Sequence, residues 1–216
     1  MLKTLDDLNL SPLVAVCDIE TLSKQPNAQI GAIGVVLVDV VEGREAGRFY
    51  TPVCLDSQDG RVQDQDTVEW WEQQREAFPD AYTQMYAEDI SRMSLTAALE
   101  ALAMFLKSNF GDKKIQLMGN GPEFDNVILA NAYEWAELEQ PWHYGGNQSL
   151  RTVVWIGRML RTVVWIGRML RGVDPKYDGE FEGVKHHALY DAVHEARYLL
   201  EVFKYFRQPA TTPVAR

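Results

Sequence analysis

Cysteine is nearly absent from this sequence: Cys17 and Cys54 are the only two in 216 residues. Two thiols cannot build a disulfide framework, which excludes a small stapled scaffold. Cys17 also lies inside an apolar run, where a reduced thiol packs as a small hydrophobe. No apolar stretch approaches the ~20 residues that a membrane-spanning helix needs. The opening MLKTLDDLNL alternates charges with leucines, so it does not read as a secretory leader. These absences lead to the expectation of a soluble, reduced, cytoplasmic protein with no membrane partner. Basic residues are short too, 21 Lys and Arg against 31 Asp and Glu, a net charge of −10. That balance argues against a long electrostatic track along duplex nucleic acid. It leaves room for a grip on a nucleic-acid end, because carboxylates gathered around divalent cations no longer repel phosphate.

What is present is ordinary globular material, 46% hydrophobic and 24% charged, with enough chain to bury one core. The expectation is a single domain over residues 1–208 and a flexible tail over 209–216. LVAVCDI (Leu13–Ile19) reads as a buried strand, short, β-branched and apolar. IGAIGVVLVDV (Ile30–Val40) reads as a second, and Glu42-Gly43 as the hairpin turn into a third, GRFYTPV. Three strands in succession predict an antiparallel meander. DTVEWWEQQREAF (Asp66–Phe78) reads as a helix capped at its first Asp and ended near Pro79. SLTAALEALAMFLKSNFG (Ser94–Gly111) has a Ser cap, an Ala/Leu interior and a Gly stop, a complete helix signature. KIQLMG returns to a strand, FDNVILANAYEWAEL (Phe124–Leu138) is another helix, and HALYDAVHEARYLLEVFKYF (His187–Phe206) a last amphipathic one. The order predicts an α/β fold whose mixed sheet is flanked by helices.

Three stretches place carboxylates where packing alone does not ask for them. In CDIET, Asp18 and Glu20 are two apart on a strand and so share one face. Two adjacent anions call for a cation, and hard oxygen ligands suit Mg²⁺ or Mn²⁺. A strand end turning polar as it meets solvent would look the same. In GNGPEFDNVIL, a Gly/Pro loop leads into Asp125 in the first turn of a helix, a position that the helix dipole alone would favour. In KHHALYDAVHEA, His186 lies five residues before Asp191. An imidazole at a loop-to-helix junction titrates near neutrality and suits proton abstraction from water. Ordinary solvent-facing histidines at a polar helix start are the plain alternative.

Taken together and in this order, the three stretches resemble the motifs of the DEDDh (DnaQ-like) 3′-5′ exonucleases. These belong to the RNase-H-like superfamily and include polymerase proofreading domains, ribonuclease T and oligoribonuclease. The tracts DTVEWWEQQ and GNGPEFDNVIL resemble a phage and prophage branch of that family. The resemblance implies an RNase-H-like mixed sheet, an antiparallel three-strand meander plus parallel strands. It implies two Mg²⁺ or Mn²⁺ ions held by Asp18, Glu20, Asp125 and Asp191, with His186 as general base and His187 as the minor alternative. It implies nucleotide contacts from Thr21 and Leu22, and hydrolysis of single-stranded DNA or RNA from the 3′ end, with DNA favoured. Homodimers are common among relatives, so a homodimer is a further expectation. Where many relatives carry an Asn four residues before the second-motif Asp, this chain has Gly121, with Asn120 one further back. Trp70 and Trp71 are candidates for stacking on bases, although core packing is the prior reading for both. Two other classes stand beside the exonuclease: a nucleic-acid-binding module of the same fold that no longer turns over, and an exoribonuclease or oligoribonuclease. An endonuclease of the superfold would lack the third motif.

One feature fits none of this. Residues Arg151–Leu160 recur letter for letter as Arg161–Leu170. Solenoid units run ~20–50 residues and need several copies, so a perfect ten-residue doublet reads as a tandem duplication inside the domain. Removing one copy leaves a single helix capped by Ser149 and ended by Gly172. Ten residues turn an α-helix by ~1000°, about 80° short of three full turns, so the two copies cannot face one sheet in a continuous helix. The expectation is that one copy occupies the native helix and the other is looped out or projects.

Overall fold

The computed structural model describes residues 4–87, 90–156 and 181–207. Strands β1 (Leu13–Thr21), β2 (Ile30–Asp39) and β3 (Arg44–Pro52) form the expected antiparallel meander. Gly43, at φ 74°, supplies the left-handed turn residue between β2 and β3. Two short strands, β4 (Leu117–Gly119) and β5 (Asn147–Ser149), add in parallel, β4 on β1 and β5 on β4. The sheet order is β3-β2-β1-β4-β5. This is the RNase-H-like mixed sheet that the motif resemblance implied. Three residues of β5 are too few to announce a strand by pattern, and it is absent from the expected elements.

The helices cover both faces. α1 (Gln65–Ala77), α2 (Pro79–Tyr86), α3 (Leu95–Phe110) and α4 (Asp125–Trp135) follow the meander. A helix over residues 150–156 (α5) and α6 (Ala188–Arg207) complete the described elements. Two expectations are corrected. α1 starts one residue earlier than the sequence suggests, and its N-cap position is Asp64 rather than Asp66. The Asp64 carboxylate makes no capping bond, because it accepts from Ser23 Oγ at 2.6 Å and Lys24 N–H at 3.2 Å. Pro79, read as a stop, also begins α2, since the first helical turn has no use for the missing N–H. α3 is as expected: Ser94 Oγ accepts from Ala97 N–H, and Gly111 at φ 60° ends it.

Alternation along β1 splits the core in two. Ala15, Cys17 and Ile19 face α3 and α4, packing with Leu99, Leu102, Ile128 and Leu129. Val16 points the other way, toward Ala192, Val193 and Leu199 of α6. A third cluster holds Leu22 of the post-β1 loop with Trp71, Ala81 and Met85 of α1 and α2. Ser149 caps α5 through its Oγ, which accepts from Thr152 N–H, and Leu150 and Val154 are buried on the α6 side of the sheet. Trp155 on that helix is exposed. Residues 151–156 of the first copy are therefore helical, and the rest of that copy lies outside the described residues. The second copy, Arg161–Leu170, and the fate predicted for it lie outside the described residues. So does the tail over 209–216. Among the described residues no helix is long and apolar enough to cross a membrane.

Candidate active site

The face of β1 that carries Val16 becomes acidic at its C-terminal end, with Asp18 and Glu20 as the next two side chains on that side. Opposite Asp18 in the register stands Gly34 of β2. A Cβ at Gly34 would lie 2.3 Å from the Ala188 carbonyl carbon and 2.4 Å from its oxygen. Glycine there lets the first turn of α6 settle on the sheet, and this carries Asp191 to the acidic pair. One carboxylate oxygen from each of Asp18, Glu20 and Asp191 falls within 4.8 Å of the others. The sequence contains the signal for Gly34, a glycine inside a strand rich in Ile and Val, which marks a close backbone approach.

Asp125 arrives from the other layer. Gly119 closes β4 with no side chain, and a Cβ there would stand 2.8 Å from Asp125 Oδ2 and from Asn126 Oδ1. The Asp125 carboxylate accepts from Ile19 N–H at 3.3 Å, between the two acids of the first motif. It sits beside the tight trio rather than within it. Asn126 is buried and fastens the loop by donating to Leu117 O and Asn147 Oδ1. Arg151 pairs with Glu123 at 2.8 Å above Gly121, the place where many relatives carry an asparagine.

These acids work against one another. Loss of solvent, then repulsion from Glu20 and Asp125, holds Asp18 well above the usual carboxylate range. Burial first, with Asp191 and Asp125 beside it, pushes Glu20 up to about 8. Burial raises Asp125 to about 7 against the pull of the Ile19 N–H, and Asp191 to about 6 against the N–H groups of His186 and His187. A sequence reading based on motifs missed a further acid nearby, Glu195. It is buried one helical turn beyond Asp191, close enough to Asp18 to raise it further, and bonded to the Tyr198 hydroxyl. Its spacing of four from Asp191 on a helix was the available clue.

The two histidines have different surroundings. His186 has φ 61°, a left-handed backbone for a residue with a Cβ, which costs ~1–3 kcal/mol. Its ring meets Trp70 edge-to-face at 4.9 Å and Phe78 at 4.8 Å. Burial, then the neighbouring Lys185, lowers its pKa. His187 is buried, stacks on Tyr50 at 4.4 Å and leans on Tyr190. A small cleft joins Glu20, Tyr50, Trp71, Gln84, His186 and His187. Thr21 and Leu22 do not line it: the Thr21 hydroxyl donates to Ser23 O, and Leu22 is 1% exposed in the third cluster. Trp71 is core, as expected. Trp70 is not; it stays 38% exposed because the next residue on a helix points ~100° away.

A mixed five-stranded sheet with an acid cluster at the end of its central strand is the arrangement of an RNase-H-like fold. The chain belongs to the family described as the 3′-5′ exoribonuclease Rv2179c-like domain, whose model matches residues 14–203. No curated protein matches its sequence. Among solved structures it resembles cell-death related nuclease 4, with TM-score 0.60 and 14% identity over 90% of this chain and 64% of that one. It also resembles the nuclease domain of 3′hExo, a DEDDh family member, bound to rAMP. That match has TM-score 0.59 and 13% identity, covering 90% of this chain and 92% of that one. E. coli Exonuclease I in complex with a dA16 oligonucleotide matches at TM-score 0.57 and 12% identity, covering 91% of this chain and 41% of that one. The chain therefore spans under two thirds of the length of the first of these and well under half of the last.

Proposed function

We propose that this chain is a divalent-metal-dependent 3′-5′ exonuclease that releases nucleoside monophosphates one at a time from single-stranded 3′ ends. The convergence of Asp18, Glu20 and Asp191 oxygens within 4.8 Å, with His186 in the same cleft, carries this reading. The donor set fits the ions. All its atoms are hard carboxylate oxygens, and the burial and mutual repulsion that raise these carboxyls would be offset by Mg²⁺ or Mn²⁺. Asp18, Glu20, Asp125 and Asp191 would hold two of them. When bound, they would supply Lewis-acid stabilisation of phosphoryl charge and a lower pKa for the attacking water.

The chain's own groups do the rest. His186, kept neutral by its apolar surroundings, takes a proton from water as the water oxygen attacks phosphorus. The bond from phosphorus to the 3′ oxygen of the preceding nucleotide breaks, and that oxygen takes a proton from solvent as it leaves. His187, boxed in by Tyr50 and Tyr190, supports the loop rather than the proton transfer. Thr21 and Leu22, their side chains turned inward, would back the site of the terminal nucleotide rather than reach it. Residues 1–208 act as one catalytic domain, and the DTVEWWEQQ and GNGPEFDNVIL tracts support a place in the phage and prophage branch.

RNA comes first as substrate, because the family is described as exoribonuclease; DNA, favoured by the motif resemblance, is the second arm of the test. Labelled single-stranded RNA and DNA, digested with Mg²⁺ or Mn²⁺, should shorten stepwise from the 3′ end, and Asp18→Ala should abolish it. A version lacking residues 161–170 tests whether the duplication is damage: cutting by that version alone would say so. Binding without cutting by both versions, with either metal, would favour a non-catalytic binding module instead.

A further inference from the structure

Two adjacent tryptophans touch the two halves of the site. The Trp71 indole N–H donates to Thr21 O at 3.0 Å, at the C-terminal end of the strand that carries Asp18 and Glu20. Trp71 is 1% exposed and locked among Leu22, Ala81 and Met85, so this bond fixes α1 to the end of β1. Trp70 points the other way, with its ring edge-to-face on His186 at 4.9 Å and an interplanar angle of 90°. Phe78, at the C-cap of α1, contacts the same imidazole edge-to-face at 4.8 Å and 76°. The two indoles contact each other at 5.2 Å. His186 therefore contacts two rings, one on α1 and one at its C-cap, and that helix is pinned to the first-motif strand.

The backbone makes such support necessary. A left-handed φ at a non-glycine residue persists only where the surroundings over-determine it. Lys185 beside it is exposed, and the loop holds to the first turn of α6 through Asp191, which accepts from the His186 and His187 N–H groups. Those bonds fix the main chain of His186; among the described residues, Trp70 and Phe78 are the rings in contact with its imidazole.

We infer that Trp70 and Trp71 act as one positioning unit, Trp71 anchoring α1 to the metal-binding strand and Trp70 aiming the His186 imidazole. The inference rests on His186 being the general base. A catalytic group held loosely by about 1 Å loses around a hundredfold in rate, and that loss falls on turnover rather than on substrate binding. Trp70 contacts no acid of the cluster, so its part is separable from metal binding.

The test uses the full chain with a 5′-labelled oligoadenylate and Mn²⁺. Trp70→Ala is expected to lower kcat about tenfold to a hundredfold while KM stays within about threefold, and Trp70→Phe to recover most of the loss. Calorimetric titration with Mn²⁺ alone should be unchanged in Trp70→Ala. The imidazole C–H resonance of His186, assigned by its absence in His186→Ala, should move as the ring current of the indole is lost. Adding Trp70→Ala to His186→Ala should cost nothing more. Full activity in His186→Ala would overturn the general-base reading itself. An inactive His186→Ala beside a Trp70→Ala with unchanged kcat and an unmoved resonance would overturn the positioning role alone. A raised KM at unchanged kcat would also overturn it, and would assign Trp70 to the substrate.

Discussion

Cys17 and Asp18 are neighbours in sequence and opposites in environment. Cys17 lies on the face of β1 sealed by α3 and α4, where Ala15, Cys17 and Ile19 are apolar and buried. Asp18 lies on the face toward α6, where the strand turns from Val16 to Asp18 to Glu20 within five residues. One face lowers the free energy of the fold by removing apolar surface from water. The other raises it by gathering acids that repel each other, and that stored repulsion is what a divalent cation can use. The strand teaches that stability and chemistry can be separated by one residue when a sheet has two buried faces.

The largest expected effect breaks the pair apart. Asp18→Asn should lower turnover by at least about a thousandfold while raising the melting temperature of the metal-free protein near pH 8. Cys17→Ala should leave turnover within about threefold and cost ~1 kcal/mol of stability. Denaturant melts and oligonucleotide assays on both proteins measure the contrast. On the sealed face, Leu102→Ala should cost ~2–5 kcal/mol with unchanged kcat in the folded fraction. On the acidic face, Gly34→Ala should displace α6 from β2 and lower turnover about a hundredfold, with weaker Mn²⁺ binding seen by calorimetry.

The smallest effect is a pH dependence. Glu20 and Asp191 hold their protons more tightly in the fold, with ordinary values of 4.5 and 3.8 raised to about 8 and about 6. A raised pKa means that their stabilising contribution is full below the ordinary values and is lost as pH rises through the folded ones. The metal-free protein should thus lose melting temperature between about pH 5 and about pH 8, a slope that Asp18→Asn makes shallower and saturating Mn²⁺ removes. A flat profile without metal would show that the acids do not repel as placed.

Much of this was legible in the sequence. The shared face of Asp18 and Glu20 follows from strand alternation, the α3 boundaries from Ser94 and Gly111, the β2–β3 turn from Gly43. What escaped had no local signal or an ambiguous one. β5 is three residues long, and its identity comes from β4 beside it. Pro79 serves as the end of one helix and the start of another, and only the turn at Phe78 tells which. Asp64 stands where a capping residue should, yet its carboxylate is taken by the post-β1 loop across 40 residues of chain. Trp70 and Trp71 are the same residue type side by side, and their different burial depends on which way α1 lies on the sheet.

By itself, then, the sequence determined the meander, the helix caps and the acids and histidine in their order along the chain. These are written in local periodicity and side-chain chemistry, which the backbone reads within a few residues. Only the tertiary structure decided that three of those acids meet within 4.8 Å, that Glu195 stands behind them, and that two tryptophans reach in opposite directions to the strand and to the histidine. Those facts depend on long-range approach, such as α6 against Gly34, and no local pattern specifies where a distant segment will come to rest.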